Sequence, residues 1–413
     1  MKYIIAFILF YGVTFPQENN LSSPQNAMTG SMALTWIEGV PHYQIALTPE
    51  LVFGKFGIGL DVNLRFNSKT HKIRKEDFDE ANDFLRMVRY ARYGHKGDNF
   101  YARVGMLDLS KLGHGFVIYR YRNFSDYVNR GTGIEFDMAF ENYGFESVYG
   151  DVANGGVYGG RAFVKPIKFT SLNDVPILSK MEVGASYSGD FRGYKVLPKD
   201  GTDSVKKTIS IIGLDLGLPI IQTEILKSTI YFDYAKINNY GDGVAYGVDN
   251  RFDISSALNL FVRFERRNSN AKFIANYFDA LYEIDREEKI KSLDTISATK
   301  GWYGDLHLSI LNTLHILGSY SKLDDIEKSG VLHFETQSGD IIPQVKFAAG
   351  YDKKGIGSNS EIFELEKNAL LHLTVGYKIN PYILLNTVFY TRYDNSGNKK
   401  EWVEEGVSFI YNF

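Results

Sequence analysis

EEGVSFIYNF (404–413) carries Val407, Phe409, Tyr411 and Phe413 at every second position, with Ser408, Ile410 and Asn412 between them. Successive side chains of a β-strand point to opposite faces, so the first set shares one face. GIGLDVNLRF (57–66) repeats the pattern: Ile58, Leu60, Val62, Leu64 and Phe66 lie opposite Gly59, Asp61, Asn63 and Arg65. In GIEFDMAFE (133–141), Ile134, Phe136, Met138 and Phe140 alternate with Glu135, Asp137, Ala139 and Glu141. LNLFVRFERR (258–267) sets Leu258, Leu260, Val262 and Phe264 against Asn259, Arg263, Glu265 and Arg267, with Phe261 the exception. LLHLTVGYK (370–378) alternates in the same way. Runs of this length with one apolar and one polar face specify strands.

A soluble sandwich with its polar faces in water would alternate too. Three features favour a barrel in a membrane. The runs approach the ~9–11 residues that a tilted strand needs to cross a bilayer. Aromatic residues make up 15% of the chain. They gather in YRYRNFSDY (119–127) and PYILLNTVFYTRY (381–393), where strand ends would meet the membrane interfaces as girdles. Finally, MKYIIAFILFYGVTFPQENN (1–20) places Lys2 before an apolar run from Tyr3 to Phe15, the plan of a secretory signal. That run is too short to span as a helix, which takes ~20 residues. Residues 1–20 are therefore expected to be a signal peptide and 21–413 a single barrel domain.

The totals bound the function. Of 413 residues, 44% are hydrophobic and 23% charged, a composition that packs and does not stay disordered. A formal charge of -3 gives no basic field for a nucleic acid. Cysteine is absent, which excludes disulfides, thiolate metal sites and catalytic thiols.

Read backwards from residue 413, long charged connections alternate with short ones. The long ones are 394–400, 352–367, 322–328 and 284–296; the short ones fall at Asn380-Pro381, Ser338-Gly339-Asp340, Asn312-Thr313 and Asn268-Ser269-Asn270. Short periplasmic turns and long extracellular loops are the plan of a bacterial outer-membrane barrel. About 20 segments read as strands. With some discounted as loop or plug, the expectation is an all-β transmembrane antiparallel β-barrel of about 18 strands, within a range of 16–20. KTHKIRKEDFDEANDFLRMVRY (69–90) breaks the pattern. Phe78, Ala81, Leu85 and Val88 share a helix face there, as in a loop helix running into a strand at Met87 or a segment folded over the barrel mouth.

The closing strand, with Phe409, Tyr411 and Phe413, resembles the C-terminal signal of bacterial outer-membrane β-barrel proteins. That resemblance implies the bacterial outer membrane as location, lipid and the barrel-assembly machinery as partners, and these three residues as the assembly signal. Two blocks, 94–124 and 144–167, are similar to uncharacterised predicted outer-membrane proteins and imply no activity.

No motif points to catalysis. None of the eight histidines forms H-E-x-x-H, and no G-x-S-x-G elbow occurs. GKFGIG (54–59) opens a strand and lacks the phosphate loop's G-K-[ST]; DNSGNKKE (394–401) lacks the glycine of a calcium loop. No enzyme, metal or cofactor is expected. If the apolar faces meet lipid, then Asp61, Arg65, Arg103, Glu135, Asp137, Arg161, Arg263, Glu265 and Arg267 point inward as pore-lining residues. Charges in a dry interior would each cost several kcal/mol unless paired. A water-filled lumen that passes small hydrophilic solutes avoids that cost, and so does a closed, non-transporting barrel filled by ion pairs that serves as a surface scaffold, adhesin or envelope-complex partner. LDLSKLGHGFVIYRYRNFSDYVNR (107–130) offers Arg120, Arg122 and Arg130 as a constriction on an infolded loop; alternatively it is a wall hairpin turning at Gly113 to Gly115 with girdle tyrosines. Homo-oligomerisation is left open.

Overall fold

The computed structural model describes residues 27–37, 40–79, 81–124, 130–196, 205–339, 342–365, 369–393 and 399–412. The expected signal peptide and Phe413 lie outside them. A single antiparallel sheet of 21 strand segments, β1 (Ala27–Ile37) to β21 (Lys399–Asn412), closes on itself. Each strand pairs with the next in sequence, and β1 pairs with β21 from Ala27↔Asn412 to Met32↔Val407. β3 (Phe56–Leu60) and β4 (Val62–Asn67) are two halves of one strand, both paired with β2 (Val40–Phe53) and interrupted at Asp61. Counting them together gives a ring of 20 strands. The preferred count of 18 is thus two short, and the number found is the upper end of the expected range. No helix among the described residues is long and apolar enough to cross a membrane.

Lipid faces the apolar side of the ring. Met32, Ile58, Leu214, Phe232, Phe264 and Val407 are exposed on the outside. Asp61, Arg161, Asp215, Asp233 and Arg263 alternate with such residues and point inward, where they are buried. Phe261 shares the inward face of β14 (Leu258–Ser269), packed on the Arg263 guanidinium 5.8 Å from its ring centroid. In hydrocarbon no water can satisfy an open strand edge, so the ring has to close.

Connections divide between the rims largely as expected. The short rim carries 54–55, 256–257, 311–313 and 381–382, but also the long connection 165–181; the long rim carries 68–79, 81–87, 270–298 and 357–365. Asn268-Ser269-Asn270 is misread as a short turn. It opens the long segment 270–298, and the tight turn lies one strand earlier at Ser256-Ala257. Residues 68–87 hold the expected loop helix, α1 (Ala81–Met87), which runs directly into β5 (Val88–Tyr93).

The wall is uneven. β5, β6 (Phe100–Gly105), β7 (Gly133–Ala139), β8 (Tyr143–Tyr149) and β9 (Val157–Val164) have only six to eight residues. β10 (Glu182–Val196) and β11 (Val205–Gln222) have 15 and 18. On the low side the chain leaves the wall and turns into the barrel. Gly105 makes that exit with a φ of +123°, and a Cβ there would overlap the Arg89 carbonyl oxygen. Met106 N–H then donates to the same carbonyl at 2.7 Å.

Gly30 and Phe409 are cross-strand partners at the closing seam. The ring of Phe409 lies over Gly30, and any Cβ at Gly30 would overlap it. An aromatic covering a glycine on the partner strand pins register at an edge. Gly30→Leu is expected to displace the ring and cost about 1–3 kcal/mol, as overpacking does. The check is the urea midpoint of the heat-modifiable folded form. Adding Phe409→Ala to Gly30→Leu should recover part of the loss, since the two sites couple.

Candidate functional site

Two long-rim segments, one described at 106–124 and 130–132 and the other 270–298, fill part of the barrel interior. They join through a parallel bridge between Ile118 and Phe278. Asn276 N–H donates to Phe116 O at 2.8 Å, Phe278 N–H to Val117 O at 3.1 Å, and Tyr119 N–H to Phe278 O at 3.1 Å. Helix α2 (Tyr282–Ser292) follows. Leu112, Ile118, Tyr277, Phe278, Ile290 and Leu293 form an apolar core inside the barrel against Ile209, Ile211 and Ile237 of the wall. A water-filled lumen is the alternative surrounding for these groups, so covering each side chain contributes ~1.5–3 kcal/mol.

The wall itself announces this core. TISIIGL (208–214) is apolar on both faces, with Ile209 and Ile211 inward and Ile212 and Leu214 outward. A strand apolar on both faces is covered on both. That signal was available in the sequence but lay outside the alternating runs.

Ion pairs tie the inserted segments to the wall. Arg130 donates to Asp61 at 2.7 Å, and Arg103 lies 3.3 Å from Asp108. Arg120, held in the left-handed region at a φ of +53°, reaches Asp305 at 2.8 Å. His114 meets Asp233 at 3.0 Å and stacks on Tyr231 at 4.5 Å. Gly113 N–H donates to Glu146 at 2.7 Å. On the α2 side, Tyr282 donates to Asp190 at 2.8 Å, Arg286 pairs with Asp190 at 2.7 Å, and Tyr121 donates to Glu283 at 2.7 Å.

Of the two readings of 107–130, the infolded one holds. The turn at Gly113 to Gly115 exists, closed by Gly115 N–H on Leu112 O at 2.9 Å, but it is inside the barrel. Tyr119 and Tyr121 are buried in the interior and do not form a girdle. Arg120 and Arg130 are engaged with the wall, whereas Arg122 is partly exposed and lies 3.9 Å from Glu335 of β17 (Gly330–Ser338).

All nine residues read as pore-lining face inward. Asp61, Arg65, Arg103, Glu135, Asp137, Arg161, Arg263 and Glu265 are buried, and Arg267 is partly so. Arg65 pairs with Asp77 at 3.2 Å, Lys96 with Asp137 at 2.8 Å, and Arg263 with Asp249 at 2.9 Å. Tyr101 donates to Glu135 at 3.0 Å, and Tyr231 to Glu265 at 2.7 Å. Arg267 pairs with Glu265 and lies over the Tyr303 ring at 3.9 Å. Arg161 gathers three carboxylates: Asp215 at 2.6 Å, Glu182 at 2.7 Å and Glu146 at 3.4 Å.

Off the strands, burial sets the ionisation. It pushes the Lys111 ammonium down to about 8, helped by the Arg263 charge and opposed by Asp249 and Glu146. It also lowers Lys289, although Asp279 pulls the other way. Burial acts against the Lys96 ammonium too, but Glu135 and Asp137 outweigh it, and Lys96 rises.

Between residues 314 and 380 the inner wall is less deeply covered. His315, Ser319, His333, Glu335, Asp352 and His372 face inward and are only partly buried. His333 Nδ1 lies 2.6 Å from Asp352. Among the described residues no cluster of three or more His, Asp or Glu has metal-site geometry.

Removing one partner of a buried ion pair leaves the other charge uncompensated, at a cost of about 3–5 kcal/mol. Arg161→Met should therefore lower the urea midpoint by that equivalent, more than Arg122→Met, whose side chain keeps contact with solvent.

No family model matches the sequence, and no curated protein matches it. Solved structures with similar folds include Wzi from Escherichia coli, a carbohydrate-binding barrel involved in group 1 capsule assembly. It is 10% identical at a TM-score of 0.37, over 94% of this chain and 85% of that one. OccK5 from Pseudomonas aeruginosa is 12% identical at 0.37, over 94% and 97%. A BenF-like porin from Pseudomonas fluorescens Pf-5 is 9% identical at 0.37, over 94% and 98%. The chain is a closed antiparallel β-barrel with an apolar outer belt, a charged inner face and unequal rims, the plan on which bacterial outer-membrane barrels are built.

Proposed function

We propose that the protein is a partly plugged channel that lets small hydrophilic solutes diffuse across the outer membrane. The observation that carries this reading is the asymmetry of the interior. A dry apolar core fills the side of β11, β12 (Leu226–Ile237) and β13 (Asp242–Ser255), whereas partly buried polar groups face inward from β16 (Leu314–Leu323) to β19 (Ala369–Asn380). A passage between the two would be narrowed by Arg122 and lined by His333 and Glu335. Rings of this strand number exceed those whose side chains fill the interior, so room remains beside a plug. In this reading Asp61 and Arg103 clamp the plug behind the passage, and Arg65, Arg161 and Arg263 shape its field from the wall. Arg120 and Arg130 fix the inserted segment, and Arg122 alone of the constriction residues meets the solute. Phe409, Tyr411 and Phe413 serve the assembly machinery.

A non-transporting scaffold is the second reading. It is favoured by the number of ion pairs that lock both inserted segments to the wall.

Planar-bilayer recording separates the two: discrete conductance steps are expected, and silence at all voltages would leave the scaffold. Because the chain has no cysteine, His333→Cys places a single thiol on the proposed path. A charged methanethiosulfonate should cut its conductance at least about twofold and leave Leu214→Cys, on the lipid face, unchanged. Replacing 270–298 by a short turn should raise conductance, since a ring of this size without its plug leaves an aqueous channel.

A further inference from the structure

The outer face carries charges where lipid would otherwise demand apolar groups. On β14 the outward residues include Phe264 and Arg266. Cross-strand register sets Tyr246, Arg266, Trp302 and Lys322 in one row across β13, β14, β15 (Thr299–Ile310) and β16. One step nearer the long rim, Lys300 pairs with Asn268 on the same face and is exposed. Three cations thus face outward at the edge of the membrane belt. The carboxylate paired with them is Asp324, which takes both Arg266 guanidinium nitrogens. Lys322 Nζ donates to Gly357 O at 2.7 Å. The Arg266 guanidinium lies over the Trp302 ring at 4.8 Å, and Trp302 stacks on Phe264 at 4.8 Å.

Directly below the row is a groove of about 360 Å³, floored by Gly247 and walled by Ile230, Val248, Phe264 and Trp302. Its walls are apolar and it is continuous with the lipid-facing belt. Cations above an apolar groove match one chemistry: a phosphate carried on an acyl chain. The long rim is the extracellular rim of such barrels, so the leaflet that meets this row is the outer one.

We propose that Arg266, Lys300 and Lys322 bind a phosphate of an outer-leaflet phosphorylated, acylated glycolipid, with one of its acyl chains in the groove over Gly247. The guanidinium can hold a phosphate through a two-pronged hydrogen bond while it stays stacked on Trp302. Asp324 occupies that fork when no lipid is present and is displaced by the phosphate. The site stands apart from the interior and is independent of whether the barrel conducts.

Native mass spectrometry of the delipidated full-length barrel in mild detergent tests this, with folding verified by heat-modifiable mobility. The probes are hexa-acylated bisphosphorylated lipid A, its dephosphorylated counterpart and phosphatidylethanolamine. One molecule of the bisphosphorylated lipid should be retained per barrel, at least about tenfold more tightly than the dephosphorylated form, equivalent to ~1.4 kcal/mol. The double variant Arg266→Ala/Lys322→Ala should lose that preference. Asp324→Asn removes the competing carboxylate and should strengthen retention, a gain that misfolding cannot produce. Equal retention of phosphatidylethanolamine, displacement of the lipid by inorganic phosphate alone, an unchanged double variant, or a dimer abolished by the same substitutions would each overturn the proposal.

Discussion

Backbone hydrogen bonding in a medium without water governs this molecule. Every strand edge in hydrocarbon must find a partner, and the chain meets that demand by pairing each strand with its sequence neighbour and β1 with β21. Closure leaves the side chains to satisfy two solvents at once. Lipid takes Leu214 and Phe232, and the interior takes Asp215 and Asp233. Alternation along each strand follows directly from closure and needs no further cause.

The interior then poses a second problem. A ring of 20 strands encloses more space than its own inward side chains fill. Here the wall is cut low between β5 and β9, and residues 106–124 and 130–132 lie inside. That segment could not stand alone in water. It docks on 270–298 through a short parallel bridge, and the two share an apolar core with Ile209, Ile211 and Ile237. The inward charges become clamps. Asp61 holds Arg130, Asp305 holds Arg120 and Asp233 holds His114, each a pair that the low-dielectric interior makes costly to break. Of the residues that look like a solvated lining in one dimension, Asp61 and Arg103 hold the plug, while Arg65, Glu135, Arg161 and Glu265 are tied mainly to the wall and its loops.

The outer surface shows the reverse economy. Arg266 and Lys322 would be expensive in hydrocarbon, yet they lie in the row beside Trp302, towards the long-rim ends of their strands. Long basic side chains reach the interface from such positions while their stems stay apolar.

The sequence by itself determined the class of architecture and the facing of the wall. Period two is a property of the backbone, so Ile58, Phe136 and Val262 had to share the apolar side with their neighbours, whatever the tertiary arrangement. The charged loops marked the unequal rims. Tertiary structure alone decided the strand count, because only closure of the ring shows which short segments, β5, β6, β8 and β9 among them, belong to the wall. It alone decided that Asn268-Ser269-Asn270 opens a plug segment, since turn-forming residues begin long loops as readily as short ones. It also decided what Arg120, Arg130 and Tyr121 touch, since Asp305, Asp61 and Glu283 lie 185, 69 and 162 residues away along the chain. Contacts at such separation arise only when the ring closes and brings opposite walls within reach, and no local periodicity records that event.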